Sequence, residues 1–169
     1  MIRLDETFYM RDVLVVAPEL IGKLLVKNDG INTKSFMITE VEAYKGIEDL
    51  ACHASKGRTA RTEIMFQSGG HLYVYFIYGM YWMLNIVTGP RETPEAVLIR
   101  GLEGMRGPGI VAKNLGIDKS YYGENICKSD RIWVADAGIK IEYTTTPRIG
   151  INYAGEPWVS KPWRFLLKN

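Results

Sequence analysis

The chain has 169 residues, 47% of them hydrophobic and 24% charged, which is ordinary globular usage and enough length to bury one sizeable core. The net charge of +2 admits a polyanionic partner without requiring one, and Cys52 and Cys127, outside any C-x-x-C spacing, suggest neither a disulfide scaffold nor a zinc knuckle. With His53 and His71 the only histidines, the donor set of a zinc deaminase cannot be assembled, so no metal and no cofactor is expected.

Residues 1–6 reach acidic side chains before any apolar run, which reads against a secretory signal, and two cysteines with no disulfide-scaffold spacing fit a reducing cytoplasm best. In a prokaryote the expected place would be the nucleoid. A helical region within residues 5–30 gives way to a strand at 22–26 and a turn at Asn28-Asp29-Gly30. The next predicted strand spans 35–44. Regular alternation would put Met37, Thr39, Val41 and Ala43 on one face and Ile38, Glu40, Glu42 and Tyr44 on the other. Residues 46–68 turn polar and basic, with Lys56, Arg58 and Arg61, before a tyrosine-rich strand at 72–78 that Gly79 breaks. Two apolar runs follow at 80–87 and 96–102, and Gly107-Pro108-Gly109 opens a helix ending near Gly116. Short strands are predicted at 132–134, 139–143 and 163–167. The longest uncharged stretch, residues 72–90, holds four tyrosines, two glycines and Asn85, so it reads as buried strand and loop rather than a membrane span. The order of elements predicts one α+β domain over residues 1–169, a compact mixed fold with a curved, mainly antiparallel sheet flanked by helices.

Glu40 and Glu42 lie two apart on one predicted strand face, where two ionised carboxylates repel. Repulsion and partial burial would raise one pKa and make that group a candidate general base; a solvated edge strand with lysine partners is the other reading. Tyr73, Tyr75 and Tyr78 could stack or wedge against nucleobases, each stack worth about 1–3 kcal/mol, or could be core residues with satisfied hydroxyls. Lys56, Arg58 and Arg61 could clamp phosphates, as could the N–H groups after Gly107-Pro108-Gly109, or they could form a solvated basic loop. Lys113, Arg148, Lys161 and Arg164 are weaker candidates of the same kind.

Three segments in order carry a resemblance: Glu40-Val41-Glu42-Ala43-Tyr44-Lys45-Gly46-Ile47-Glu48-Asp49; then Ala51-Cys52-His53; then Tyr73-Val74-Tyr75-Phe76-Ile77-Tyr78-Gly79-Met80-Tyr81-Trp82-Met83-Leu84-Asn85. Together with Val97-Leu98-Ile99-Arg100-Gly101-Leu102-Glu103 and Lys161-Pro162-Trp163-Arg164-Phe165, they make the chain resemble the alkyladenine (3-methyladenine) DNA glycosylase family over nearly its whole length. The resemblance implies a monofunctional hydrolase that flips a damaged purine from double-stranded DNA, cuts its N-glycosidic bond and starts base excision repair. Glu42 then matches the general base and Arg100 the arginine that helps hold the attacking water. Tyr44, His53 and Tyr75 would line the pocket, Asn85 would crowd out normal guanine, and Tyr78 would be the wedge. No lysine matches a Schiff-base nucleophile, so no lyase step is expected, and the working form is expected to be a monomer. Thr62 and Trp82 depart from the family, where asparagine and a smaller aromatic are usual. Two other classes remain open on the residues alone, a non-catalytic module that holds distorted DNA and a carbohydrate glycosidase, though the latter needs two carboxyls roughly 5–9.5 Å apart across the bond.

Overall fold

The computed structural model describes residues 1–169. Along the chain run β1 (Ile2–Arg3), α1 (Glu6–Tyr9), α2 (Val13–Leu20), β2 (Leu24–Asn28), β3 (Thr33–Lys45), β4 (Leu72–Ile77), β5 (Tyr81–Thr88), β6 (Glu95–Leu102) and β7 (Met105–Arg106). Helix α3 (Pro108–Asn114), β8 (Ile132–Asp136), β9 (Tyr143–Thr146) and β10 (Arg164–Leu167) complete it. The strands form one antiparallel sheet in the order β1-β8-β2-β3-β6-β5-β4, with β7 beside β6 and β10 joining β3 to β9. This is the mixed α+β architecture that the order of elements predicts.

The predicted N-terminal helical region is two short helices, each started by a side-chain cap. Asp5 accepts from the Thr7 N–H and Asp12 from the Leu14 N–H, an arrangement worth about 1 kcal/mol per helix. Pro108 occupies the first turn of α3, where its missing N–H costs nothing.

Strand β3 organises the molecule. Its first half pairs with β2 along Thr33–Met37, its second half pairs with β10 at Glu40, Val41 and Glu42, and β6 runs along its other edge from Ile38 to Lys45. Register shifts between Ile38 and Val41 interrupt the β3–β6 ladder. Strict alternation would put Ile38 with the glutamates. The bulge instead turns it into the core beside Val41 and Ala43, because an extra unpaired residue shifts every side chain beyond it.

The strand expected at 139–143 begins only at Tyr143, where Thr144, Thr145 and Thr146 meet β10. The alternating Ile139 and Ile141 mimic a strand, but Ile141 packs against Gly22, where an added Cβ would lie 2.7 Å from its Cγ1.

The two faces of the sheet are covered differently. Helix α2 lies against β3 and β6 and α3 against β5 and β6, enclosing the main core of Val16, Leu20, Val41, Leu84, Ile99 and their neighbours. A smaller cluster of Cys52, Met65, Phe66, Tyr73 and Val87 occupies the opposite face, beneath the 3-10 turns His53–Lys56 and Glu63–Phe66. Both cysteines are free, and no helix is long and apolar enough to cross a membrane.

Candidate active site

On that second face the sheet is incompletely covered, leaving a cavity of about 750 Å³ between the strands and the segments around residues 50–62 and 149–153. Its floor comes from alternate residues of four adjacent strands: Glu42 and Tyr44, Tyr73 and Tyr75, Met83 and Asn85, Leu98 and Arg100. Each pair is two apart in sequence because a pleated strand sends every second side chain to one face.

Glu42 is fully buried at the foot of this cavity. Oε1 accepts from the Tyr44 hydroxyl at 2.9 Å and Oε2 from the Ile149 backbone N–H at 2.6 Å, while the Arg100 guanidinium stands 3.7 Å from Oε1. Burial raises its pKa above the ordinary carboxylate value, opposed in part by Arg100, the Ile149 N–H and Tyr44. The raised value therefore comes from desolvation and not from the repulsion between the two glutamates that their spacing suggests. Glu40 goes the opposite way: burial alone would raise it, but bonds from Arg164 at 2.7 Å and Arg100 at 2.9 Å outweigh burial and hold it below the ordinary range.

The aromatic side of the cavity is a continuous network. His53 Nδ1 shares a 2.8 Å hydrogen bond with the Tyr73 hydroxyl, and its ring meets Tyr75 edge-on at 4.6 Å. Burial, reinforced by Arg61 and Lys56, pushes the His53 pKa down to about 4, so the imidazole is neutral at neutral pH. Asn85 is buried opposite Tyr73 in the β4–β5 register and donates to its carbonyl oxygen at 3.1 Å. No group of three or more His, Cys, Asp or Glu side chains converges as a metal donor set.

Tyr78 lies at the cavity rim with 83% of its surface exposed, at the tip of the β4–β5 hairpin. Tyr78 and Gly79 have φ of 57° and 60°, and Met80 N–H bonds back to the Ile77 carbonyl at 3.1 Å, a left-handed turn within the three-residue loop Tyr78–Met80 that joins the Ile77–Tyr81 pair. Left-handed backbone costs a tyrosine about 1–2 kcal/mol, so the ring is held outward at the expense of stability. Trp82 stacks across the strand pair on Phe76 at 5.0 Å, which gives the larger ring a role in bracing the hairpin.

The basic residues divide. Lys56 and Arg61 are exposed at the cavity edge, Arg61 lying 4.9 Å over the Tyr75 ring. Arg58 is held by Glu63 at 2.7 Å and Glu92 at 2.9 Å, so its charge is already matched within the protein. Thr62 is buried, and its hydroxyl bonds the Gly57 carbonyl and the Thr59 N–H, closing the basic loop on itself.

Arg148 and Arg164, weak phosphate candidates on sequence, are structural. Arg148 is buried against Asp49 with contacts of 2.6 and 3.0 Å, donates to the Ala43 carbonyl, and lies over the rings of Tyr44 and Trp163. Arg164 is tied to Glu40 and Thr146. The Asp49–Arg148 pair, the Ile149 N–H and Tyr153 at the rim are site components that sequence reasoning does not find. Asp49 and Arg148 are 99 residues apart, with no local signal joining them.

The site thus combines a buried carboxyl with an arginine beside it, an aromatic-walled cavity and a ring projecting at its rim. Comparison with known proteins gives the class. The family model described as Methylpurine-DNA glycosylase (MPG) matches residues 7–106 and 103–169. A Legionella pneumophila (strain Corby) protein is 43% identical over 99% of this chain and 95% of its own length. One from Wolbachia pipientis wMel is 47% identical over 96% and 89%, and one from Rickettsia felis 42% identical over 99% and 94%. All three bear the name "Putative 3-methyladenine DNA glycosylase". The chain belongs to the methylpurine-DNA glycosylase family. It is a hydrolase of glycosidic bonds in DNA, acting on alkylated bases.

Proposed function

We propose that the protein flips a damaged purine out of duplex DNA into the cavity and hydrolyses its N-glycosidic bond with a water activated by Glu42. The observation that carries this reading is the fully buried carboxyl of Glu42, its pKa raised, at the foot of a cavity walled by tyrosines. As the purine leaves with the bonding electron pair, positive charge grows on the sugar; the water oxygen bonds to the anomeric carbon and Glu42 takes its proton. Arg100, close to Glu42, would hold that water.

Tyr44, Tyr75 and His53 would enclose the everted base. A neutral imidazole suits this role, since an imidazolium would repel the cationic rings of alkylated purines. Neutral lesions such as hypoxanthine would depend more on hydrogen bonds. Tyr78 would fill the gap in the duplex, repaying the few kcal/mol of unstacking, and Asn85 would crowd normal guanine. Lys56 and Arg61 would meet phosphates, with Arg58 holding their loop in place through its two glutamates.

The test is chromatographic analysis of bases released from duplexes carrying 3-methyladenine, 7-methylguanine, hypoxanthine or ethenoadenine. Glu42→Gln should cut release by about 10²–10⁴-fold while lesion binding persists. Undiminished release by that variant would remove Glu42 from the chemistry.

A further inference from the structure

We propose that Glu40 is a positioning residue of this site: its carboxylate holds Arg100 by the Nε edge and keeps the guanidinium from closing onto Glu42, so that Glu42 stays basic enough to take a proton from water. The inference rests on Glu42 being the base.

Glu40 Oε1 accepts from Arg100 Nε at 2.9 Å and from Arg164 Nε at 2.7 Å, so one oxygen fixes two arginines from strands on opposite edges of β3. Held in this way, Arg100 keeps its NH1 3.7 Å from Glu42 Oε1, beyond hydrogen-bonding distance. The seat is narrow. At Gly101, across from Glu40 in the β6 register, an added Cβ would lie 3.0 Å from Thr39 Oγ1 and 3.1 Å from the Glu40 Cβ, so any larger residue there would press on the Glu40 stem. The bulge in β3 falls at the same point.

The charges explain why the restraint matters. Glu42 faces Arg100 from β6, Tyr44 from β3, Tyr75 from β4, Tyr153 beyond β9, and Arg148 with the Ile149 N–H. Glu40 faces Arg100 and Arg164. Without the Glu40 charge, Arg100 would be free to bond Glu42 directly, and a carboxylate paired with arginine loses about 1–3 pKa units. Glu42 would then be a weaker base, with a smaller share in the proton transfer.

Single-turnover release of 3-methyladenine from methylated duplex DNA, measured against pH, tests this with wild type, Glu40→Ala, Glu40→Gln and Glu42→Gln in parallel. Glu40→Ala should slow release about 10- to 100-fold with duplex affinity nearly unchanged, and should move the acid limb of the rate profile to lower pH. Glu40→Gln should fall between, since its amide oxygen still accepts from both Nε groups but carries no charge. If Glu40→Ala does not fold, the shift in the Glu40→Gln profile decides. A slowed rate with the limb unmoved means a merely structural Glu40 and overturns the proposal, as does a wild-type rate and limb in either Glu40 variant. Full release by Glu42→Gln would instead overturn the base assignment beneath it.

Discussion

The Glu42 side chain carries a cost that a solvated glutamate would not. Its folded pKa lies above the unfolded value, so the protonated form is favoured in the fold and stability is lost as pH rises through the folded value. At neutral pH the ionised group is a net burden. Glu42→Gln should therefore melt higher than wild type at pH 7, and the advantage should vanish as pH falls below the ordinary carboxylate range, where both side chains are neutral. Melting curves of the two proteins between pH 3 and 7 check this; equal or lower stability of the variant at pH 7 would show that burial does not strain the charge. The sequence makes Glu42 a candidate through its spacing from Glu40 and the motif around it, yet the cause of its basicity is not legible there. That cause is burial beneath chain from far along the sequence, including the segment whose Ile149 N–H bonds the carboxylate from 107 residues away and has no side-chain signature.

At the level of the element, the β4–β5 hairpin places an aromatic ring where the backbone would prefer asparagine or glycine. Tyr78→Asn should stabilise the protein by about 1 kcal/mol, because the ring is exposed and little packing is lost, while base release falls. Denaturant unfolding and the release assay together check it; a destabilised variant would mean that the ring packs in the free protein. The tyrosine run and Gly79 make this hairpin readable from the sequence. Strand β3 is harder, since alternation assigns Ile38 to the wrong face and only the tertiary register reveals the bulge. At 139–143 alternation misleads again, because Ile141 fills the space left by Gly22.

Across the whole molecule, the buried Asp49–Arg148 pair fastens the segment after β9 to the turn after β3. Asp49→Asn would leave Arg148 buried without its counter-ion and should cost about 3–5 kcal/mol in urea unfolding. It should also loosen the Ile149 N–H from Glu42, so a variant of wild-type stability would show that the pair is not the fastening. This pairing was illegible in the sequence, where Arg148 resembles any other basic residue near the C-terminal strands.

The second half of β3 is enclosed only when β6 and β10, contributed from far along the chain, have both docked on it. Until then Glu42 faces water and behaves as an unremarkable acid. The burial that raises the Glu42 pKa and the cavity that surrounds it therefore share one origin, strands distant in sequence brought together on β3.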